Sequence, residues 1–353
     1  MIYLYDAFGP ESICYITKNG AAMADDYSRA KFSLPNHIKG LEKIEGGISS
    51  KAIKYALSIE GIELQAEVLE NALCIFSPNK DKQASFAYIK SVPEHIAEYT
   101  ESLSTQKLSW VKGEAAKNFV DGLVVCKDTA SGTLSHPSLA YLSIRRHKIY
   151  ASDAKQLSIC QLDEKVQCDK EDILLHSIGV TKLEHLRKGG IAAYAVGGNE
   201  FHFISEDGVI MSLRMGEAEY PDFDSLLKLN KKENGVVVQL DHDFMSTLER
   251  TILISPDIIS IEVTKEEGKG EKAKVTMLGT NKLGESVKEK LTVGTTTKSN
   301  FNLNFDVSAS VLWKLLKGSS SFEIEIGSNL IRMSGKNGSY KFEHYIPKKD
   351  RSS

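Results

Sequence analysis

Much is missing from this chain of 353 residues, and each absence removes a class of function. No stretch approaches the eighteen or so consecutive apolar residues of a membrane-spanning helix. The opening segment MIYLYDAFGPES has neither the basic start nor the apolar centre of a secretory signal, so a cytoplasmic location is expected. The five cysteines, Cys14, Cys74, Cys126, Cys160 and Cys168, form no CxxC pair and sit in or beside apolar strand-like text, the pattern of reduced core thiols. There is no phosphate-binding GxxxxGKS/T, no GxGxxG, no HExxH and no GxSxG. His136, His202 and His344 have no partner at the spacing of a triad or a zinc site. Asp241-His242-Asp243 is the one cluster that suggests a metal, but it opens a helix, where acids cap the first turn and favour the dipole. No catalytic constellation can be assembled, and neither enzyme activity, cofactor nor metal is expected. Charge of one sign is lacking too: 44 Lys and Arg stand against 47 Asp and Glu, a net −3, so the chain as a whole is no polycation.

What is there is repetition. One supersecondary unit is written three times: a short basic helix, three strands joined by tight turns, then a proline at the strand end. The helices are SSKAIKYAL from Ser49, TKLEHLRK from Thr181 and SASVLWKLLKG from Ser308, each with a Ser or Thr fit to cap it. Strand text follows from Ile62, Ile191 and Ser321, then turns holding Asn71, Asn199 and Asn329, residues that tolerate positive φ. Second turns fall at Asn79, Asp207-Gly208 and Asn337-Gly338, and the copies close at Val92-Pro93, Tyr220-Pro221 and Ile346-Pro347. The halves before these helices repeat as well. AAKNFVDGLVVCKD and FMSTLERTILISPD read as equivalent amphipathic helices, but the same offset carried back once more falls before Met1. The first copy is therefore expected to open without its helix, with MIYLYDAF as an edge strand. The whole reads as an α+β chain of three domains, 1–107, 108–234 and 235–353, each of antiparallel sheets backed by short helices. Polar TESLSTQKLS and LNKKENG suit linkers, and the charged KEEGKGEK from Lys265 suits a hairpin tip.

Charge is distributed unevenly over this repeat. The three helices carry Lys51 and Lys54, then Lys182, Arg187 and Lys188 against Glu184, then Lys314 and Lys317, a net +6 that leaves −9 on the rest. In the first helix Ala52, Ile53, Ala56 and Leu57 form one stripe, and Lys51 and Lys54 point away from it. Equivalent basic faces in three copies suit a polyanion contacted through its phosphates, without sequence preference. Lys112 and Lys117 before and within the second domain's opening helix, and Arg250 in the third's, extend the candidate DNA-contacting set. The rival reading is a repeat-built β-rich binding or structural assembly protein with no DNA in its centre. Tyr150 and Tyr220 read as packing aromatics.

The chain resembles the DNA polymerase III β-subunit sliding clamps of bacteria and phages. EAEYPDFDSLL from Glu217 is similar to the motif closing that family's second domain, and the helix from Phe244 to Ser255 follows it as in the family. YASDAKQL from Tyr150 resembles the family's strand and turn, with Ala154-Lys155-Gln156 where the family has Gly-His-Arg, and HYIPKK from His344 resembles its C-terminal ending. The resemblance implies the DNA clamp fold and a non-enzymatic processivity factor that encircles double-stranded DNA. It implies a head-to-tail homodimer ring, in which the strands LCIFS and ASFAYI of the first domain meet an edge of the third domain of the next chain. It also implies that polymerase and clamp loader dock short peptide motifs in a pocket of Ser152, Lys155, Gln156 and Leu157 with Pro221, Leu226 and Ile346.

Overall fold

The computed structural model describes residues 2–347, apart from 60, 106, 133–134, 165, 167–171, 231, 266–269, 318, 320 and 338–339. Cys168, the centre of the charged loop, Gly338 and the KKDRSS tail lie outside the described residues. The helices are α1 (Ile2–Phe8), α2 (Ser50–Leu57), α3 (Glu94–Thr105), α4 (Glu114–Cys126), α5 (Ser177–Leu186), α6 (Phe223–Lys228), α7 (His242–Ile254) and α8 (Ala309–Leu316).

One element order recurs: helix, four-stranded antiparallel sheet, helix, three-stranded meander. The four-stranded sheet has the same strand order each time, third, second, first, fourth. It is built from Ile13–Thr17, Gly20–Ala24, Ser28–Phe32 and Gly46–Ser49 after α1. After α4 it comprises Tyr141–Arg145, Lys148–Ser152, Leu157–Leu162 and Ile173–His176. After α7 it comprises Ile258–Lys265, Lys272–Thr280, Ser286–Gly294 and Phe301–Ser308. The meanders follow α2 (Leu64–Leu69, Ala72–Phe76, Gln83–Ile89), α5 (Ile191–Gly197, Glu200–Ser205, Ile210–Gly216) and α8 (Ser321–Gly327, Leu330–Asn337, Tyr340–Pro347). By contacts the chain forms two compact units. One comprises Met1–Val120 with Ile178–Gly216; the other comprises Asp121–Val166, Glu171–Ser177 and Glu217–Ser353.

In the first unit the last strand of the second meander pairs with the third strand of the first sheet, Met211 opposite Ala30. In the second unit the last strand of the third meander pairs with the third strand of the second sheet, Tyr345 opposite Leu157. The same rule thus joins consecutive copies edge to edge. Alternation along these strands puts Val, Ile, Leu and Phe under the helices, as in Ile258–Lys265, whose every second residue is buried. Phe119 of α4 packs on Tyr194, Phe201 and Phe203, with ring centroids 4.8 to 6.0 Å apart. Gly122 lets α4 come down on the second sheet, since a Cβ there would stand 2.8 Å from Cys160 Sγ.

Several sequence readings shift. MIYLYDAF holds the seven-residue helix α1 instead of an edge strand, because Leu4 and Tyr5 bury against the first unit, Tyr5 edge-on to Phe32. TESLSTQKLS is no simple linker: its first six residues end α3, whose Ile96 and Tyr99 bury against Ala22. LNKKENG likewise runs into the strand Lys232–Gln239. LCIFS is an interior strand, paired on both sides, whereas residues 83–87 of the next strand have one partner among the described residues. Positive φ falls at Glu70 and Gly198, each one residue before the predicted asparagine. Ser49 and Ser308 cap α2 and α8 as expected, and Asp241 caps α7, accepting from the Phe244 amide at 2.8 Å. Cys14, Cys74, Cys126 and Cys160 are buried free thiols, and burial pushes Cys14 and Cys126 up to about 12.

Candidate binding surfaces

The predicted basic residues have three kinds of surroundings. Lys51 and Lys54 project from α2 and pair with Glu11 at 2.7 Å and Asp6 at 2.8 Å. The Lys54 hydrogen bond is the main reason the Asp6 carboxyl lies below its ordinary value. Lys112, Lys117, Arg187, Lys188 and Lys317 are exposed, Lys317 lying over the Trp313 ring. Arg250 is exposed and pairs with Glu289 at 3.1 Å. Lys314 pairs with Asp128; burial acts to raise that carboxyl, but hydrogen bonds from Lys127 and Lys314 outweigh it and hold it low. The exposed pairs of Lys51 and Lys54 contribute about 0 to 1 kcal/mol, so those cations stay available to another anion.

Lys182 is different. Its side chain is 10 % exposed, pairs with Asp25, bonds Ser28 Oγ and lies over the Phe8 ring. Desolvation lowers its pKa to about 8. The cause is register. Helix α5 begins at Ser177, four residues before the predicted Thr181, so Lys182 is the sixth helical residue, the place of half-buried Tyr55 in α2. Lys182 thus braces α5 against the first sheet's turn and lies outside any solvent-facing row.

The predicted peptide pocket lies wholly in the second unit. Leu157 is 7 % exposed and belongs to an apolar cluster with Tyr150, Tyr220 and Tyr345, flanked by partly buried Phe223, Leu227 and Leu330. Ser152 Oγ donates to the Gln156 carbonyl at 2.7 Å and accepts from the Ala154 amide, closing a tight turn in which Ala154 takes φ +69°. Lys155 is exposed at that turn, and Gln156 Oε1 lies 3.2 Å from buried His344 Nε2. Pro221 and Leu226 are exposed, and Leu226 stands on α6 beside Phe223 and Leu227. Ile346 does not join them. It follows Tyr345, which is opposite Leu157, so strand alternation turns Ile346 to the other face, where it pairs with Ile331.

Next to this cluster the turn between Tyr141–Arg145 and Lys148–Ser152 walls a cleft of about 470 Å³ with Asp172 and Asp224. Asp224 accepts from Lys148 at 3.0 Å and Tyr150 at 2.9 Å; burial works against its charge, but these bonds hold the carboxyl below its ordinary value. Among the described residues no group of three or more His, Cys, Asp or Glu is placed to hold a metal, and no helix is long and apolar enough to cross a membrane.

In sequence, no family profile and no curated protein matches the chain. In structure it superposes on a Helicobacter pylori beta clamp with TM-score 0.67 and 15% identity, over 99% of this chain and 96% of that one. The beta subunit of Streptococcus pyogenes DNA polymerase gives 0.64 and 16%, over 99% and 97%. The DNA polymerase III subunit beta of Pseudomonas aeruginosa gives 0.62 and 12%, over 98% and 96%. The chain has the β-clamp fold.

On this β-clamp fold the sequence reading missed Tyr345, Phe223 and Leu227 as members of the apolar cluster. A signal was available: counting by twos from Glu343 along the last strand places Tyr345 and not Ile346 on one face. It missed the basic cleft as well, although Arg145-Arg146-His147-Lys148 is the only run of four basic residue types in the sequence.

Proposed function

We propose that this protein is a sliding clamp, a non-enzymatic processivity factor that encircles duplex DNA in the cytoplasm and tethers a polymerase. The observation that carries the reading is the β-clamp fold running through 99% of the chain. The three sequence repeats, 1–107, 108–234 and 235–353, are its domains. Lys51, Lys54, Lys112, Lys117, Arg187, Lys188, Arg250, Lys314 and Lys317 are the DNA-facing cations. Contacts to phosphate alone fix no register, so the ring slides, and topological linkage holds it without tight binding.

The pairing rule between copies supports a head-to-tail homodimer. Each join uses the third strand of one sheet and the last strand of the next meander. Among the described residues two such edges have no second partner: Ser286–Gly294, the edge of the third sheet, and residues 83–87 of the first meander. Two chains complete the rule and close a ring; a contact of this kind that did not close would run on as a filament. Exposed Leu253 in the last turn of α7 and Leu283 in the turn leading into the edge strand Ser286–Gly294, at 82% and 86%, are apolar residues such a contact would cover. Polymerase and clamp loader dock short motifs on Leu226 and the Leu157 cluster, with Ser152, Lys155, Gln156 and Pro221 at its margin.

Retention on DNA tests the reading. With a clamp loader, the protein should stay on nicked circular duplex and be lost when the circle is linearised. Equal loss from both would overturn it in favour of a repeat-built scaffold. Sedimentation should give a dimer that Leu253→Lys converts to monomer; a monomer at tens of micromolar, with DNA absent and present, would refute closure through these edges.

A further inference from the structure

We propose that the cleft at the Arg145–Lys148 turn receives a carboxylate side chain of the same partner peptide whose apolar anchor sits on α6, an inference that rests on the docking reading above. The turn is built at a cost. Arg145 and Lys148 face each other as the last paired residues, leaving Arg146 and His147 as a two-residue loop, and Arg146 takes φ +55°, a region in which glycine or asparagine is favoured. The loop is held by the neighbouring backbone: the Arg146 carbonyl accepts from the Val166 amide at 2.9 Å and that of His147 from Leu162 at 2.8 Å. A strained, fixed turn therefore presents four consecutive basic residue types.

The acids of the cleft are already matched. Asp172 accepts from Ser143 at 2.7 Å and from Arg145 at 2.9 Å, and Asp224 is taken by Lys148 and Tyr150. No carboxylate partner of Arg146 or His147 is found among the described residues. The cleft thus offers a guanidinium able to take a carboxylate in bidentate fashion, beside the His147 imidazole, a further hydrogen-bonding group. Helix α6 ties the cleft to the docking surface. Asp224 lines the cleft, while Leu226 and, just past the helix, Leu229 are 55% and 71% exposed. An extended peptide with a leucine or aromatic anchor on these leucines has its neighbouring residues within reach of Arg146, and acidic ones are selected there.

Two fluorescein-labelled peptides separate the possibilities on the full-length protein by anisotropy at about 50 mM salt. Both carry a leucine–phenylalanine anchor, flanked on each side by glutamates in one and by serines in the other. The glutamate peptide should bind about fivefold tighter, the scale of an exposed charge contact, and the preference should fade as salt rises. Arg146→Glu should reverse it, and Arg146→Gly, which also relieves the positive φ, should abolish it. Leu226→Asp should weaken both peptides. Equal affinity of the two peptides, with Leu226→Asp still weakening both, overturns the carboxylate site and leaves the anchor reading standing. No binding of either peptide, or indifference to Leu226→Asp, overturns the anchor reading and the cleft proposal with it. If Arg146→Glu leaves the peptide preference intact but weakens binding of a short DNA duplex, the cleft serves DNA and the proposal fails.

Discussion

Helices α2 and α5 hold the same place in successive copies, yet their lysines have opposite fates. Lys51 and Lys54 on α2 stay in water, each with a surface carboxylate that contributes little and can be exchanged. Lys182 on α5 is itself buried against Asp25, Ser28 and Phe8, and cannot leave without abandoning its pairing with the half-buried Asp25 carboxylate. A lysine's residue type says only that charge is present; its angular position on the helix decides whether that charge binds a partner or braces the fold. The same division separates exposed Lys155 from His344, which is fully buried between Ser158 and Gln156.

The largest effect expected on the buried side is pH-dependent. Burial lowers His344 from 6.5 to about 4, so the unfolded chain binds the proton first as pH falls. The stability that neutral His344 preserves is complete above about pH 6.5 and is lost progressively toward pH 4, up to about 3 kcal/mol. Urea unfolding across that range should show this slope, and His344→Gln, which keeps a hydrogen-bonding side chain but cannot titrate, should flatten it. Parallel slopes in the two proteins would remove His344 from the account.

Lys182→Ala comes next and addresses the helix comparison directly. It leaves Asp25 without its cation and should cost about 2 kcal/mol in urea unfolding, while the salt dependence of DNA binding stays as it was. A weaker salt slope with unchanged stability would put Lys182 back among the DNA contacts. The paired change Lys51→Ala with Lys54→Ala should do the reverse. Stability should move by about 0.5 kcal/mol or less per site, and the slope of log affinity against log salt should fall by about 0.9 for each lysine that meets a phosphate. The smallest effect on stability is expected from Leu226→Asp, under about 0.5 kcal/mol because the side chain is already in water, although it should weaken peptide binding.

The sequence by itself determined the triplication, the capped helices α2, α7 and α8, the alternating strands and the reduced thiols. These are local matters: a hydroxyl or carboxylate two or three residues before an amide caps a helix whatever lies beyond it, and alternation of apolar residues selects a face whatever covers it. It missed α1 and α3, because their apolar residues, Leu4 and Tyr5, Ile96 and Tyr99, are too few to announce a helix until the first sheet buries them. It misplaced the start of α5 by about one turn, which carried Lys182 to the wrong face, and it chose Ile346 over Tyr345, which is one residue and therefore one sheet face away. Those choices belonged to tertiary structure. Which residues of a repeat touch water is fixed by register against a neighbouring strand or helix, and the chain supplies that neighbour from more than a hundred residues away, as Tyr345 meets Leu157.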